Sequence, residues 1–353
     1  MAAFDRQSDV NTTLHPENER RQSLRGFDDE YVDIVDYIVR CTYKIWEQHG
    51  IGLIYGHYTH NAVQHGTDGV WYGRDQVIAN TIQMQAAFPD LRLIADDVVW
   101  TGDDVEGFKT SHRCTLVGRN TGYSVFGAPT GRRIALRSVY NCAVRENRIY
   151  AEWAFNDELS LIRQLGLPLR ETVKKLTPAP LDSLGSDTVG QVERVRGQTT
   201  PDALPPATAS KLDSVDVEDL VRRSMHEIWN WRLLNKVDDY YGENYLYHGA
   251  TGRETYGRGN YKAYVLSVLA MFPDAAMHID DLCWNGDERE GYRTAVRWTL
   301  LGTHTGPGIY GEPTDRQIQM SGITQHLVRG GRFVEEWTLF NELQILQYLW
   351  SGR

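Results

Sequence analysis

Positive charge is the scarcer sign in this chain. Lys and Arg total 37 against 47 Asp and Glu, a formal net charge of −10. No basic stripe is available to neutralise phosphates, so a nucleic-acid partner is not expected. Cysteine is sparse as well. Cys41, Cys114, Cys142 and Cys283 have neither zinc-site nor redox-motif spacing, so free thiols in a reduced, cytoplasmic protein are expected. No apolar run reaches the roughly 18 residues that would span a membrane. The opening Met-Ala-Ala-Phe-Asp-Arg-Gln-Ser-Asp-Val has no apolar core of a signal peptide, so none is expected. A glycine-rich nucleotide fingerprint, a P-loop and a Gly-x-Ser-x-Gly elbow are also lacking. What the chain has in excess is large rings, ten Trp and nineteen Tyr, which serve cores, interfaces and pockets for flat ligands.

The pattern along the chain alternates between order and interruption. Residues 1–26 are polar and aperiodic and read as a flexible arm. From Asp28 to Gln48, Tyr31, Ile34, Val35, Ile38, Cys41 and Ile45 recur at helical spacing behind an acidic start. His49–Thr67, rich in Gly, His and Tyr, reads as irregular. Gly73–Phe88 reads as a second helix, stopped by Pro89. Extended segments follow at Leu91–Thr101, Glu106–Gly118, Ile134–Arg145 and Arg148–Asp157. Residues 167–214 are rich in Pro, Ser and Thr without periodicity and read as a linker.

The first half then recurs. Ile45-Trp46 and His65-Gly66 return as Ile228-Trp229 and His248-Gly249, 183 residues on. One residue is then inserted, and Phe88-Pro89-Asp90 returns as Phe272-Pro273-Asp274 at a spacing of 184, as do Arg113 as Arg297 and Glu152-Trp153 as Glu336-Trp337. Dipeptides landing on dipeptides in a near-constant register mark two copies of one domain. The expected boundaries are 27–166 and 215–353. Helices that precede long strands give each copy an α+β architecture.

Tyr150–Gly166 carries the densest chemistry. Strand alternation groups Trp153, Phe155 and Asp157 on one face and Glu152, Ala154 and Asn156 on the other. If the aromatic face looks into a cavity, Asp157 is a carboxyl group against an apolar wall, with a raised pKa suited to proton transfer. The alternative is that Asp157 caps the turn that follows. Glu152 and Glu336 either orient a His or Arg or face solvent.

Of the remaining candidates, His49, His57, His60 and His65 fall within seventeen residues, but no helical His spacing or Cys accompanies them and no metal site is expected. His65 stands out because His248 repeats it. Tyr55, Tyr58, Trp71 and Tyr72 flank the same stretch and either donate hydrogen bonds to a developing oxyanion or pack a rim. His112 shares a strand face with Cys114 and Leu116, the apolar side; Arg113 lies on the other.

The order helix, His-Gly turn, helix ending in Phe-Pro-Asp, long strands, then Glu-Trp…Asp…Gln-Leu-Gly resembles the SnoaL-like polyketide cyclases of the nuclear-transport-factor-2-like (NTF2-like) superfamily, over residues 28–166 and 215–350. The resemblance implies a cone of curved antiparallel sheet wrapped round helices, with an apolar pocket at its open end. It also implies proton chemistry without metal or nucleotide cofactor. Family enzymes use an Asp on the last strand as acid/base, and Asp157 stands at that position. The second copy has Asn341 there, Val296 for His112 and Thr324 for Tyr140. An amide does not shuttle a proton, so the first copy is the better candidate, with Tyr241, His248 and Glu336 as the second copy's own groups. The superfamily also holds non-catalytic binding modules.

These readings combine into an expected enzyme. Asp157 moves a proton with His65 or His112. Tyr58 and Tyr140 hold an oxygen, and Tyr55, Trp71, Trp153 and Phe155 complete a pocket for a small aromatic or phenolic substrate. The expected reaction is a cofactor-free lyase step, with cyclisation or isomerisation as the alternative, and no cofactor is expected. The competing expectation is a binding or assembly module whose cones are filled by side chains. The resemblance further implies that the two repeats pair as a pseudo-dimer, with further dimerisation open.

Overall fold

The computed structural model describes residues 20–67, 69–176 and 215–350. The chain divides into two compact units, Met1–Leu176 and Thr177–Arg353.

In the first unit, the core helix is α1, Ile34–Trp46. Asp33 caps it, accepting from the Asp36 N–H at 2.8 Å, which satisfies one of the helix's orphan donors. A short helix, α2 (Ile54–His57), leads into strand β1 (Tyr58–Gly66), followed by β2 (Gly69–Tyr72) and helix α3 (Arg74–Ala87). Four strands complete the sheet: β3 (Arg92–Asp103), β4 (Gly107–Arg119), β5 (Arg133–Arg145) and β6 (Arg148–Asn156). Helices α4 (Glu158–Gln164) and α5 (Leu169–Lys175) close the unit.

The sheet order is β2-β1-β6-β5-β4-β3. It is mixed rather than wholly antiparallel, because β1 runs parallel to β6. The second unit repeats the plan. Helices α6 (Val217–Met225) and α7 (Val237–Tyr240) precede β7 (Tyr241–His248), β8 (Glu254–Tyr256) and α8 (Arg258–Met271). Strands β9 (Ala276–Asp287), β10 (Gly291–Thr303), β11 (Gln317–Arg329) and β12 (Arg332–Phe340) then pair in the order β8-β7-β12-β11-β10-β9, and α9 (Glu342–Trp350) follows.

Three expectations from the sequence need correction. The stretch 49–67 is not irregular: it holds α2 and β1. Strand β1 survives its polar composition because Tyr58, Ala62 and His65 are buried and the backbone pairs on both sides, with β2 and β6. Residues 169–175, placed in the linker, form α5, whose Thr172 and Val173 are buried; residues 177–214 of the linker lie outside the described residues. The end of the expected arm is anchored rather than loose. Leu24 is buried, and the Arg20 guanidinium donates to the carbonyls of Leu24 and Phe27 at 3.0 and 3.1 Å.

One irregularity matters for everything that follows. Between β5 and β6, Val144 pairs with Ile149 but Ala143 pairs with Ala151, so Tyr150 is an extra residue, a β-bulge. A bulge reverses the alternation beyond it. Ile149 points inward, and after the bulge so do Glu152, Ala154 and Asn156. The second repeat has the same feature at Val334, with Val328 opposite Phe333 and Leu327 opposite Glu335.

Candidate active site

The first repeat encloses a cavity of about 240 Å³ between α1, α3 and the inner face of the sheet. Helix α1 contributes Ile38, Cys41, Thr42 and Ile45, and α3 contributes Val77, Asn80, Thr81 and Met84; both sets follow the spacing that keeps side chains on one helix face. The loop residues Ser124, Val125 and Phe126 also line it. That loop is seated on the end of α3 through Gly122, whose N–H donates to the Ala87 carbonyl at 3.2 Å. A Cβ at Gly122 would come within 1.8 Å of the Ala86 oxygen, so only glycine allows the backbone this close.

The sheet supplies the polar groups. Glu152 on β6 is buried at the wall. Its Oε2 accepts from the Tyr58 hydroxyl at 3.2 Å and the Gln64 amide at 3.0 Å. The parallel register places Gln64 opposite Glu152 on the cavity face and His65 opposite Trp153 on the other. Burial pushes the Glu152 carboxyl up to about 6, against the opposing pull of the two donors. Desolvation wins because neither donor carries charge.

Along the same wall, Asn156 Oδ1 accepts from the Ser138 hydroxyl at 2.6 Å and the Tyr140 hydroxyl at 3.1 Å. With its oxygen engaged twice, the amide has N–H groups to offer a ligand. Tyr140 lies opposite Ala154 on β5, and His112 opposite Tyr140 on β4, so these groups form one row. His112 is buried, 3.2 Å from the Cys114 sulfur through Nε2. Burial, then the neighbouring Arg113 charge, lowers its pKa to about 4. It is therefore a neutral ring near pH 7, able to donate one hydrogen bond and accept another. Burial also raises the Tyr58 and Tyr140 phenols above their usual range, so both stay protonated donors.

The structure sorts the sequence candidates into two sets. Tyr58, Trp71, His112 and Tyr140 line the cavity. Asp157, His65, Trp153, Phe155 and Tyr55 do not. Asp157 accepts from the Ser160 N–H at 3.2 Å as the cap of α4, so the capping alternative describes its contact. His65 stacks on Trp153, with centroids 5.0 Å apart and planes 6° from parallel, on the sheet face turned away from the cavity. Phe155 shares that parity. Tyr55 is 52% exposed, with the Arg74 guanidinium 4.8 Å from its ring. For Trp153, Phe155 and Asp157 the bulge at Tyr150 is the physical reason: it turns the face that carries them away from the cavity and brings in the face of Glu152.

Sequence reasoning gave Asn156 no role, and gave Glu152 only an orienting or a solvent-facing one. Two signals were available. Glu152 recurs as Glu336, and Tyr58, its hydrogen-bond partner, recurs as Tyr241.

In the second repeat the corresponding space is about 30 Å³. Tyr247, Tyr261, Tyr264 and Phe340 line it where the first repeat has Gln64, Val77, Asn80 and Asn156. Trp298 enters at the position of Cys114 and donates its indole N–H to Thr324 at 2.9 Å. Glu336 is enclosed by protein donors: the Tyr245 hydroxyl, and the Thr338 hydroxyl at 2.7 Å. His326 Nε2 lies 3.5 Å from Oε2, the oxygen that Tyr245 bonds. Tyr241 is spent on Tyr261, hydroxyl to hydroxyl at 3.3 Å. His248 stacks on Trp337 at 5.4 Å, mirroring His65 and Trp153, and bonds Glu254 and Glu335 rather than facing the void.

Among the described residues, no three His, Cys, Asp or Glu side chains converge as a metal-binding group, and no helix is long and apolar enough to cross a membrane.

No curated protein matches the chain. Among solved structures, a candidate polyketide cyclase from Acidithiobacillus ferrooxidans is 25% identical, with 39% of this chain and 96% of that one covered and a TM-score of 0.33. A candidate SnoaL-like polyketide cyclase from Jannaschia sp. CCS1 is 17% identical, covering 38% and 92%, with a TM-score of 0.35. IdmH, a candidate polyketide cyclase from Streptomyces antibioticus, is 23% identical, covering 37% and 96%, with a TM-score of 0.32. The SnoaL-like polyketide cyclase family model matches twice, at residues 36–165 and 219–349, together well over half of the sequence. The chain belongs to the SnoaL-like polyketide cyclase family and carries the family domain as two tandem copies.

Proposed function

We propose that the first repeat is a cofactor-independent acid/base enzyme for a small, apolar, ring-containing substrate, and that Glu152 rather than Asp157 is its base. The observation that supports this most is the Glu152 carboxyl: buried on the wall of an open cavity, held by two neutral donors and poised at about 6. A base with its pKa just below the working pH is mostly ionised and still basic enough to take a proton. Glu152 would remove a proton from carbon beside a carbonyl. The negative charge that develops on the carbonyl oxygen would be met by donors further along the row, from the Asn156 amide or neutral His112. The enolate then closes on a second carbonyl in a cyclisation, or is reprotonated elsewhere in an isomerisation, with Glu152 returning its proton. Base catalysis of this kind is worth about 10² to 10⁴-fold.

Carbon–carbon cleavage is the reverse of an aldol closure and would use the same base on a hydroxyl proton. The aromatic walls, Trp46, Trp71 and Phe126, suit a phenolic substrate for such a lyase. A single experiment addresses the base in either direction. Solvent deuterium should enter the carbon next to the carbonyl of 2-tetralone, followed by proton NMR, with the full chain and not with Glu152→Gln. Unchanged exchange in that variant would remove Glu152 from the role. Release of formaldehyde from phenolic dimers, assayed in parallel, separates lyase from cyclase.

A further inference from the structure

Resting on the reading of Glu152 as the base, we propose that Asn80 on α3 is a positioning residue, which holds the Gln64 amide with its nitrogen end, not its oxygen, toward the Glu152 carboxylate. A chain of hydrogen bonds carries the inference. Gln76 Nε2 donates to Asn80 Oδ1 at 3.0 Å, Asn80 Nδ2 donates to Gln64 Oε1 at 3.2 Å, and Gln64 Nε2 donates to Glu152 Oε2 at 3.0 Å. Gln76 and Asn80 stand one turn apart on the same face of α3, the spacing that lets their amides meet. Every donation in the chain runs the same way, toward the carboxylate.

That direction has a physical cause. An ionised carboxylate only accepts, so it takes the nitrogen end of Gln64 and leaves that side chain's oxygen facing away. The oxygen then needs a donor, and Asn80 supplies one. Giving its nitrogen to Gln64 leaves Asn80 with an oxygen of its own, and Gln76 satisfies it. Aligned amide dipoles reinforce one another where water is scarce, and here they present their positive end to the charge. The chain thus favours the ionised form of Glu152, opposing the burial that disfavours it. Without Asn80, nothing holds the Gln64 oxygen away, and the amide can turn that oxygen toward a protonated carboxyl.

The second repeat loses the chain as a unit. Tyr247, Tyr264 and Asn260 stand where the first repeat has Gln64, Asn80 and Gln76. Asn260 donates instead to the Tyr256 carbonyl at 2.7 Å, and Glu336 takes its donors from hydroxyls. The amide chain therefore accompanies the carboxyl beside open space and is absent from the enclosed one.

Carbon NMR of the full chain, labelled at the Glu side-chain carboxyls, tests this directly. The Glu152 signal is identified by its absence in Glu152→Gln, and in the wild type it should titrate at about 6. Asn80→Leu should move that midpoint up to about 7. Gln76→Leu, one link further out, should move it the same way by less, and it keeps the test open if Asn80→Leu does not fold. Deuterium exchange into 2-tetralone should follow the titration. Taken relative to each protein's own rate at about pH 8, exchange at about pH 6 should be about fivefold lower in Asn80→Leu, as the ionised fraction falls from about a half to about a tenth. General damage to the fold would lower exchange at both values alike. The other titratable groups around Glu152 are Tyr58 on β1, Tyr140 and Cys142 on β5, Cys41 on α1, His112 on β4 and Glu158 on α4; α3 contributes none to the described lining. Burial keeps the phenols, thiols and imidazole uncharged from about pH 6 to 8, and Glu158, which accepts from Thr67 at 2.7 Å, is common to all the proteins compared. A Glu152 midpoint unchanged in Asn80→Leu, or in Gln76→Leu where the first variant is unfolded, would overturn the proposal and leave the acid/base reading standing. A midpoint that moves, in a protein whose wild type exchanges no 2-tetralone, would support the positioning and sink the base it serves.

Discussion

Gln64, Val77, Asn80 and Asn156 in the first repeat leave a cavity of about 240 Å³. In the second repeat the same places hold Tyr247, Tyr261, Tyr264 and Phe340, and about 30 Å³ remains. Neither the strand order nor the bulge before the last strand differs between them. Even the inward carboxyl is retained, as Glu152 and as Glu336. What differs is the company it keeps. Glu152 has two neutral protein donors and open space beside it. Glu336 has hydroxyl donors on both oxygens and rings where the space would be. The same backbone thus serves as a receptacle in one copy and as a packed core in the other, decided by side-chain volume at a handful of inward positions.

The comparison can be broken most sharply by exchanging the carboxyls. Glu152→Gln should lower turnover by about 10² to 10⁴-fold, whereas Glu336→Gln should leave it within about twofold, both measured as initial rates on the same substrate. Comparable losses in the two variants would mean that the second repeat is also a working site.

The next largest effect comes from giving the first repeat the second repeat's filling. Val77→Tyr puts in the ring that stands there as Tyr261 and should abolish the rise in thermal midpoint that a saturating neutral ligand produces, a shift worth about 2.7 kcal/mol at a hundredfold excess over Kd. A persistent shift in that variant would place the ligand elsewhere. Trp298→Cys, which puts the first repeat's Cys114 into the second, opens space in a filled core and should cost about 3 to 5 kcal/mol by chemical denaturation.

Proton linkage gives a smaller and more specific signature. The folded protein holds the Glu152 proton up to about 6, against an ordinary value of 4.5. Below the ordinary value the group is protonated in both folded and unfolded states and costs nothing. As pH rises through the folded value, the unfolded chain has already ionised it, so stability falls by about 2 kcal/mol between those limits. Denaturation midpoints over this range should show the fall in the wild type and lack it in Glu152→Gln. Activity should run the other way, rising with pH through about 6 as the base ionises.

The smallest effect separates capping from catalysis at Asp157. Removing the cap with Asp157→Ala should cost about 1 kcal/mol of stability with turnover nearly unchanged. Asp157→Asn, the residue the second repeat carries as Asn341, should preserve both, since Asn caps as well as Asp.

Much of this fold was legible before any coordinates. The spacing of Ile34, Ile38, Cys41 and Ile45 marks α1, the long β-rich runs mark β3 to β6, and the repeat register predicts two copies of one plan. Strand β1 was not, because its residues alternate weakly and it is held by pairing with β6, a partner about ninety residues away. The site was only half legible. His112 faces inward as strand parity on β4 predicts, and Tyr58, Trp71 and Tyr140 also reach the cavity. Parity failed on β6, where one extra residue at Tyr150 exchanges the two faces. Nothing in the local composition announces that bulge. The rings that fill the second cone are plain in the sequence, but that they point inward depends on which positions of three separate elements meet, which is a property of the packed structure.

The central claim is that the working base is Glu152, on the face the bulge turns inward. Deuterium incorporation into 2-tetralone, measured side by side for Glu152→Gln and Asp157→Asn, tests it most directly. The account predicts exchange lost in the first variant and retained in the second. Exchange retained in Glu152→Gln and lost in Asp157→Asn would contradict it.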